Sequence, residues 1–328
     1  MTVRGRSDRN LLRIGAKLLL GIGVVVALHV ALVVGWLRFE ERSDPERLVE
    51  APLAELTAAK VEPYAGRGCG AERSCRDVVL EAADGRAVRI AISLPAEASA
   101  ERLPVVILTG GLRTGREALE HVPDLGRNAV VSYEYPLDED HWRRGFLPLQ
   151  VVAARNAALA VPGQLAALVR WVRARPWADP GRVSLVGVSL GALVLPAAQR
   201  AAAAHGERLG PSILAYGGTG LFDILRANLA EDQGWAGYGA AWLASLALRA
   251  LEPAAHLPQL KGEFLLINGQ GDPRIPARSA AELHRLTPEP KEVRVLGAGH
   301  FDADDPELLA ALLELCRAWL VDRGALNP

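Results

Sequence analysis

Cysteine is scarce in this chain, with three in 328 residues. That excludes a disulfide-built scaffold. A cysteine-based metal centre has too little to work with, because no histidine or second cysteine pair lies near Cys69 and Cys75. An excess of either charge is also missing. The net charge is −1, and no Lys/Arg-rich patch interrupts the body of the chain. Without a basic surface, a nucleic-acid partner is excluded on electrostatic grounds. Internal repeats and low-complexity tracts are absent as well, which leaves an ordinary globular body. At this length, with half its residues hydrophobic, the chain can bury a large core as one big domain or two small ones.

What is present begins with an uncharged N-terminal run, "LLLGIGVVVALHVALVVGWL", from Leu18 to Leu37. About 20 apolar residues span a bilayer as a helix. Arg4, Arg6, Arg9, Arg13 and Lys17 precede it within residues 1–17, opposed only by Asp8. The positive-inside rule then keeps residues 1–17 in the cytoplasm and sends the rest out, as a membrane-anchored extracytoplasmic protein. A cleaved signal peptide is the rival reading, but "VGWLRFEER" offers no small-x-small cleavage site. Residues 38–73, with Pro45, Pro52 and Pro63, read as a stalk or linker with a short helix over "PERLVEAPLAELTAA". Outside the cytoplasm Cys69 and Cys75 can oxidise to a disulfide. Cys316 lies in an apolar helical pattern and reads as a small core residue.

From residue 74 to 328 strand and helix patterns alternate. "CRDVVLEA" and "RAVRIAISLP" flank an Asp84-Gly85 turn. "LPVVILTGG", "NAVVSYEYP", "RVSLVGVS", "PSILAYGG", "GEFLLINGQ" and "EVRVLGAG" follow as further strands. Helices are expected over 116–125, over 149–173 with an interruption at Pro162-Gly163, over 190–204, over 278–286 and from Asp305 to Val321. This alternation implies an α/β class protein with a mostly parallel twisted sheet covered by helices on both faces. Ligands of such sheets bind beyond the carboxyl ends of the strands. Ser189, Asp272 and His300 all fall just after strand ends.

Ser189 sits in "GVSLG". A serine hydroxyl is a weak nucleophile until a base takes its proton and a strained turn exposes it. The strand-to-helix turn that does so leaves no room for side chains two residues either side, so Gly187 and Gly191 suit it. Chance supplies only about 0.1 such pentapeptides in a chain with 11 serines and 32 glycines. Pro196 should kink the helix that follows. Of the seven histidines, His300 alone follows a strand on a glycine-freed loop, "GAGHFDADD"; surface roles suffice for His121, His141, His205, His256 and His284. Asp272 in "GQGDPRIP" is the expected orienting acid, with Asp223 as the alternative. Asp302 is too close in sequence to reach the far ring nitrogen.

The order Ser189, Asp272, His300, with "GVSLG", "GQGDPRIP" and "GAGH" around them, resembles the α/β-hydrolase superfamily over about residues 74–322. Within it, dienelactone-hydrolase and esterase-type members are the most similar. The resemblance implies an oxyanion hole built from the Leu190 amide and a second amide in "TGGLRTG", either Gly111 or Leu112. Many members begin that loop with His-Gly, where this chain has Thr109-Gly110. It also implies a helical cap, residues 219–260, between the sixth and seventh strands. Trp235, Tyr238 and Trp242 in the cap have spacings of three and four, which suits packing of cap on body or an apolar substrate wall. Arg113 and Arg226 are candidates to meet a substrate carboxylate, or are simply solvated. The implied activity is hydrolysis of a carboxylic ester or thioester through an acyl-enzyme, with a small-molecule acyl substrate and no cofactor or metal. An acyltransferase with the same triad, or a non-catalytic membrane-anchored binding protein, are the alternatives. Nothing in the sequence sets the oligomeric state.

Overall fold

The computed structural model describes residues 44–328 apart from 65, 67–68, 98–100, 112–113, 123–124, 137–147 and 230–233. At the N-terminal end it describes 17, 20–21, 23–28, 30–32 and 34–36. At 148–151 and 298 only the backbone is described. Leu112, Arg113 and His141 therefore lie outside the described residues. The chain divides into two compact units, Met1–Ser43 and Asp44–Pro328.

In the first unit an apolar helix covers Gly23–Trp36. Leu20, Val24, Val25, Val26, Leu28 and Leu32 are all exposed. Residues 18–19, 22, 29, 33 and 37 of the expected 18–37 run fall outside the described residues. Among the described residues, only the helix portion Val152–Arg173 is long and apolar enough to cross a bilayer, and half of it is buried in the second unit.

The second unit is built on a nine-stranded sheet in the order β1-β2-β3-β5-β4-β6-β7-β8-β9. The strands are β1 (Leu56–Pro63), β2 (Arg73–Ala82), β3 (Ala87–Pro95), β4 (Leu103–Thr109), β5 (Ala129–Tyr133), β6 (Ala178–Val188), β7 (Ser212–Ala215), β8 (Phe264–Gln270) and β9 (Lys291–Ala298). β1, β2, β3 and β5 pair antiparallel in turn, and every pairing from β5 to β9 is parallel. The parallel half follows from its sequence. Strands β4, β5 and β7 are buried at every position, as continuous apolar runs covered on both faces must be. Alternate residues of β4 serve opposite cores. Val105 and Ile107 pack with Leu165, Leu168 and Leu195 from helices α2 (Pro148–Arg173) and α3 (Leu190–Ala204). Val106 and Leu108 pack with Leu119 and with Leu312, Trp319 and Leu320 of the C-terminal helix Pro306–Asp322.

Three expectations are corrected. Residues 38–73 are not a stalk throughout, and the folded body does not start at 74. A short helix, α1 (Pro45–Glu50), packs against the body through Leu48, and β1 then joins the sheet edge. The apolar packing of α1 and the ladder of β1 on β2 supply what a free stalk lacks. Helix α2 is not interrupted at Pro162-Gly163 but runs unbroken for 26 residues. Val161, Leu165, Ala166, Leu168 and Val169 are buried along it. That packing outweighs the loss of a hydrogen bond at the proline, worth about 3 kcal/mol. The helix expected over 116–125 is a shorter 3-10 segment, Gly115–His121. Helix α3 likewise continues through Pro196. Asp305 caps the last helix as expected, accepting from the amides of Glu307 and Leu308. The Cys69–Cys75 disulfide is formed, and Cys316 is the free cysteine.

Candidate active site

Ser189 stands between β6 and α3 with φ 55° and ψ −113°, a conformation that L-residues rarely hold. The surroundings enforce it. A side chain on Gly187 would lie 2.7 Å from the Gly191 backbone, and one on Gly191 would run into the Thr109 carbonyl. The Ser189 amide is tied to the Ala215 carbonyl at 2.9 Å, which fixes the turn to the neighbouring strand β7. The hydroxyl is left free to meet a base.

The imidazole that meets it is that of His300, whose Nε2 lies 2.9 Å from Ser189 Oγ. His300 follows β9. Its loop approaches the end of β8 so closely that a side chain on Gly269 would collide with the Gly299 carbonyl. The Gly299 amide donates to Gln270 at 2.8 Å, which locks the two strand ends together. On its other side His300 Nδ1 is 2.7 Å from Asp272 Oδ2. Asp272 Oδ1 accepts from the amides of Arg274 and Ile275 at 2.8 and 3.0 Å. One carboxylate oxygen is thus spent on its own turn and the other faces the imidazole. The His300 and Asp272 side chains are 8% and 2% exposed, so their contact is shielded from water. An orienter held in this way keeps the proton on Nδ1 and leaves Nε2 to accept from serine.

Asp223, the alternative acid, is ion-paired with Arg278 instead. Asp302 turns its carboxylate to the Asp304 amide. His205 reaches the Ala51 carbonyl, His256 the Ala250 carbonyl, and His284 the Asn268 side chain.

Leu190 is the first residue of α3, where helix amides have no carbonyl partner within the helix. Gly111 faces the serine across the site, and a side chain built on it would lie 4.0 Å from Ser189 Cβ. Two bonds position its loop. Tyr135 donates to the Gly110 carbonyl at 2.7 Å, and Thr114 donates through Oγ1 to the Gly111 carbonyl at 3.1 Å. Beneath it Arg116 pairs with Asp77 and Glu134, and burial raises the Glu134 pKa against the pull of Arg116.

Tyr216 is the residue that sequence reasoning missed. It ends the β7 run with φ 55°, the one other described non-glycine residue at positive φ. Its ring stands edge-on to His300, 5.6 Å between centroids, and packs on Phe301 at 5.7 Å. The side chain is buried, and its hydroxyl meets no hydrogen-bond partner among the described residues. Burial, with Asp272 and Cys316 adding to it, pushes its pKa up to about 12, so it stays neutral. The available signal was an aromatic residue before a glycine pair at a carboxyl-terminal strand end.

The cap corrects one further expectation. Trp235, Tyr238 and Trp242 do not bury themselves against the body. They are 91%, 46% and 42% exposed on the helix Gly234–Ala247. Tyr238 packs instead on Phe222 of the preceding helix, Leu221–Leu229. That helix is fastened beside the acid loop, because Asn228 donates to the Arg274 carbonyl at 3.0 Å. Among the described residues no group of three or more His, Cys, Asp or Glu is placed to hold a metal ion.

Residues 160–301 match the model of the prolyl oligopeptidase family, a span that contains Ser189, Asp272 and His300. No curated protein matches the sequence significantly. Among solved structures, an acetyl xylan esterase from a Thermoanaerobacterium species superposes with a TM-score of 0.58. It is 14% identical, and the match covers 83% of this chain and 92% of that one. An acetyl xylan esterase from a Paenibacillus species gives 0.57 at 18% identity, covering 84% and 92%. A puromycin-hydrolysing peptidase of Mycobacterium tuberculosis gives 0.58 at 16% identity, covering 78% of this chain and 40% of that one. Identities this low speak to fold, and the fold agrees with the strained serine turn after β6 and the order in which the three polar residues follow their strands. The chain therefore has the α/β-hydrolase fold, the fold it shares with these esterases and peptidases.

Proposed function

We propose that the protein is a serine hydrolase that cleaves a carboxylic ester or thioester through an acyl-enzyme. The observation that carries this reading is the continuous line from Ser189 Oγ to His300 Nε2 at 2.9 Å and from His300 Nδ1 to Asp272 at 2.7 Å. Ser189 attacks the acyl carbonyl while His300 takes its proton. The tetrahedral oxyanion develops next to the Leu190 amide and a second amide from the Gly111 loop, where one donor is typically worth about 3 kcal/mol. His300 then gives its proton to the leaving alcohol or thiol. Water, deprotonated by the same histidine, releases the acid. The buried Asp272 stabilises the imidazolium that forms at each stage.

Amide hydrolysis is a second reading, favoured by the family match over 160–301. A membrane-anchored, extracytoplasmic location is part of the proposal, supported by the apolar run of 18–37 and the basic residues before it. A panel of p-nitrophenyl esters of increasing chain length, run beside p-nitroanilides, tests the reaction class. Faster turnover of esters supports the proposal, and turnover of anilides alone contradicts it. Added alcohol acceptors separate hydrolysis from acyl transfer by their products.

A further inference from the structure

The helix Gly234–Ala247, "GWAGYGAAWLASLA", carries no charged residue in 14 positions. A solvent-facing helix of a globular protein ordinarily shows a polar face. This one exposes Trp235, Ala236, Tyr238, Gly239 and Trp242. Its serine hydroxyl is turned onto the helix itself, Ser245 Oγ donating to the Trp242 carbonyl at 2.8 Å. Leu229, at the end of the preceding helix, is exposed too. Tryptophan and tyrosine with apolar bodies and polar tips are the residues that settle at the headgroup level of a bilayer.

The rest of the chain says what covers this face. Leu37 and Asp44 are seven residues apart, a stretch that reaches at most about 25 Å when fully extended. A body whose chain leaves a membrane at Leu37 therefore cannot stand far from the bilayer. The first helix of the body, α1, packs beside the cap. Leu48 of α1 packs in one cluster with Leu221 and Leu225 of the first cap helix and with Leu248 and Leu251 that follow the second. The base of the cap is closed by Glu252, whose two oxygens accept from the amides of Gly220 and Leu221, each at 2.8 Å. The first cap helix is bound in turn to the acid loop through Asn228. Helix α1, the cap helices and the acid loop are thus linked by direct contacts.

We propose that the Trp235–Tyr238–Trp242 face of the cap beds into the bilayer surface, and that the triad takes its acyl ester from lipid resident in that membrane. The inference rests on the anchor and hydrolase readings above. Docking is driven by apolar burial, since the face carries no cation, so it takes neutral lipid and resists salt.

The test uses the full chain reconstituted in phosphatidylcholine vesicles, with and without brominated lipid. Brominated lipid should quench Trp36, Trp235 and Trp242, and the Trp235→Phe, Trp242→Phe double variant should lose at least about half of the quenchable emission in proportion to the tryptophans removed. Equal quenching in wild type and variant overturns the docking. So does a detergent-solubilised dimer that the same substitutions dissociate, because a second copy then covers the face. Neither readout needs turnover. The substrate class is read separately, as the ratio of rates on a long-chain ester held in the vesicle and on soluble p-nitrophenyl acetate. Trp235→Glu, at a site too exposed to threaten folding, should lower that ratio roughly fivefold or more; an unchanged ratio overturns the lipid substrate. If the wild type cleaves neither ester, the hydrolase reading fails while the quenching result stands.

Discussion

Each member of the triad is held by a second contact, and this sets what substitutions should do. Asp272 is fixed by two backbone amides as well as by His300. Asp272→Asn should keep that turn but present the wrong tautomer, lowering kcat about 10⁴-fold with little change in KM, as steady-state kinetics would show. Tyr216 behaves differently. Its buried hydroxyl is unpaired among the described residues, so Tyr216→Phe should raise unfolding free energy by about 1 kcal/mol in urea titrations. Tyr216→Ala should lower it by about 3–5 kcal/mol and slow turnover as His300 loses its edge contact. Burial holds the pKa of His256 below its ordinary 6.5, and burial with nearby Lys291 does the same for His284. The unfolded chain therefore takes up protons first as pH falls. The contribution is complete above about 6.5, declines below it, and is gone once pH passes the depressed folded values. Urea midpoints should fall between about pH 7 and pH 5, and less so in His256→Gln, which keeps a donor for the Ala250 carbonyl.

At the scale of elements, the serine turn was legible because it depends on residues within five positions of one another. Gly187 and Gly191 answer a steric demand that any observer of "GVSLG" can state, and Gly191→Ala should abolish soluble expression or activity by pushing into Thr109. The core strands were legible for a similar reason, since continuous apolar runs leave no choice but burial. Strand β1 was not. Only Leu56 among its eight residues is buried, so it shows no alternation, and its identity comes entirely from the edge of β2 beside it. Pro162 misled in the opposite direction, because local cost was visible and the packing of α2 was not. The Cys69–Cys75 bridge ties the loop before β2 to the strand itself. Its reduction should cost about 2 kcal/mol and lower Tm by roughly 2–5 °C in calorimetry.

At the scale of the whole molecule, the order of the triad along the chain and its place beyond the strand ends were visible in advance, but the geometry of the meeting was not. Ser189 and His300 are 111 residues apart, and their meeting depends on the parallel pairing of β6, β7, β8 and β9 bringing strand ends to one edge. Tyr216 escaped notice because its importance is three-dimensional: only the finished sheet sets its ring against His300. The exposed cap aromatics were open to two interpretations, and spacing alone does not distinguish a buried stripe from a bare one. The most direct measurement is covalent labelling of the full chain by a fluorophosphonate, with the modified peptide located by mass spectrometry. Stoichiometric label on Ser189 that disappears in Ser189→Ala is the predicted result. Label that persists in Ser189→Ala, or that maps to another residue, would contradict the assignment of the nucleophile and with it the proposed chemistry.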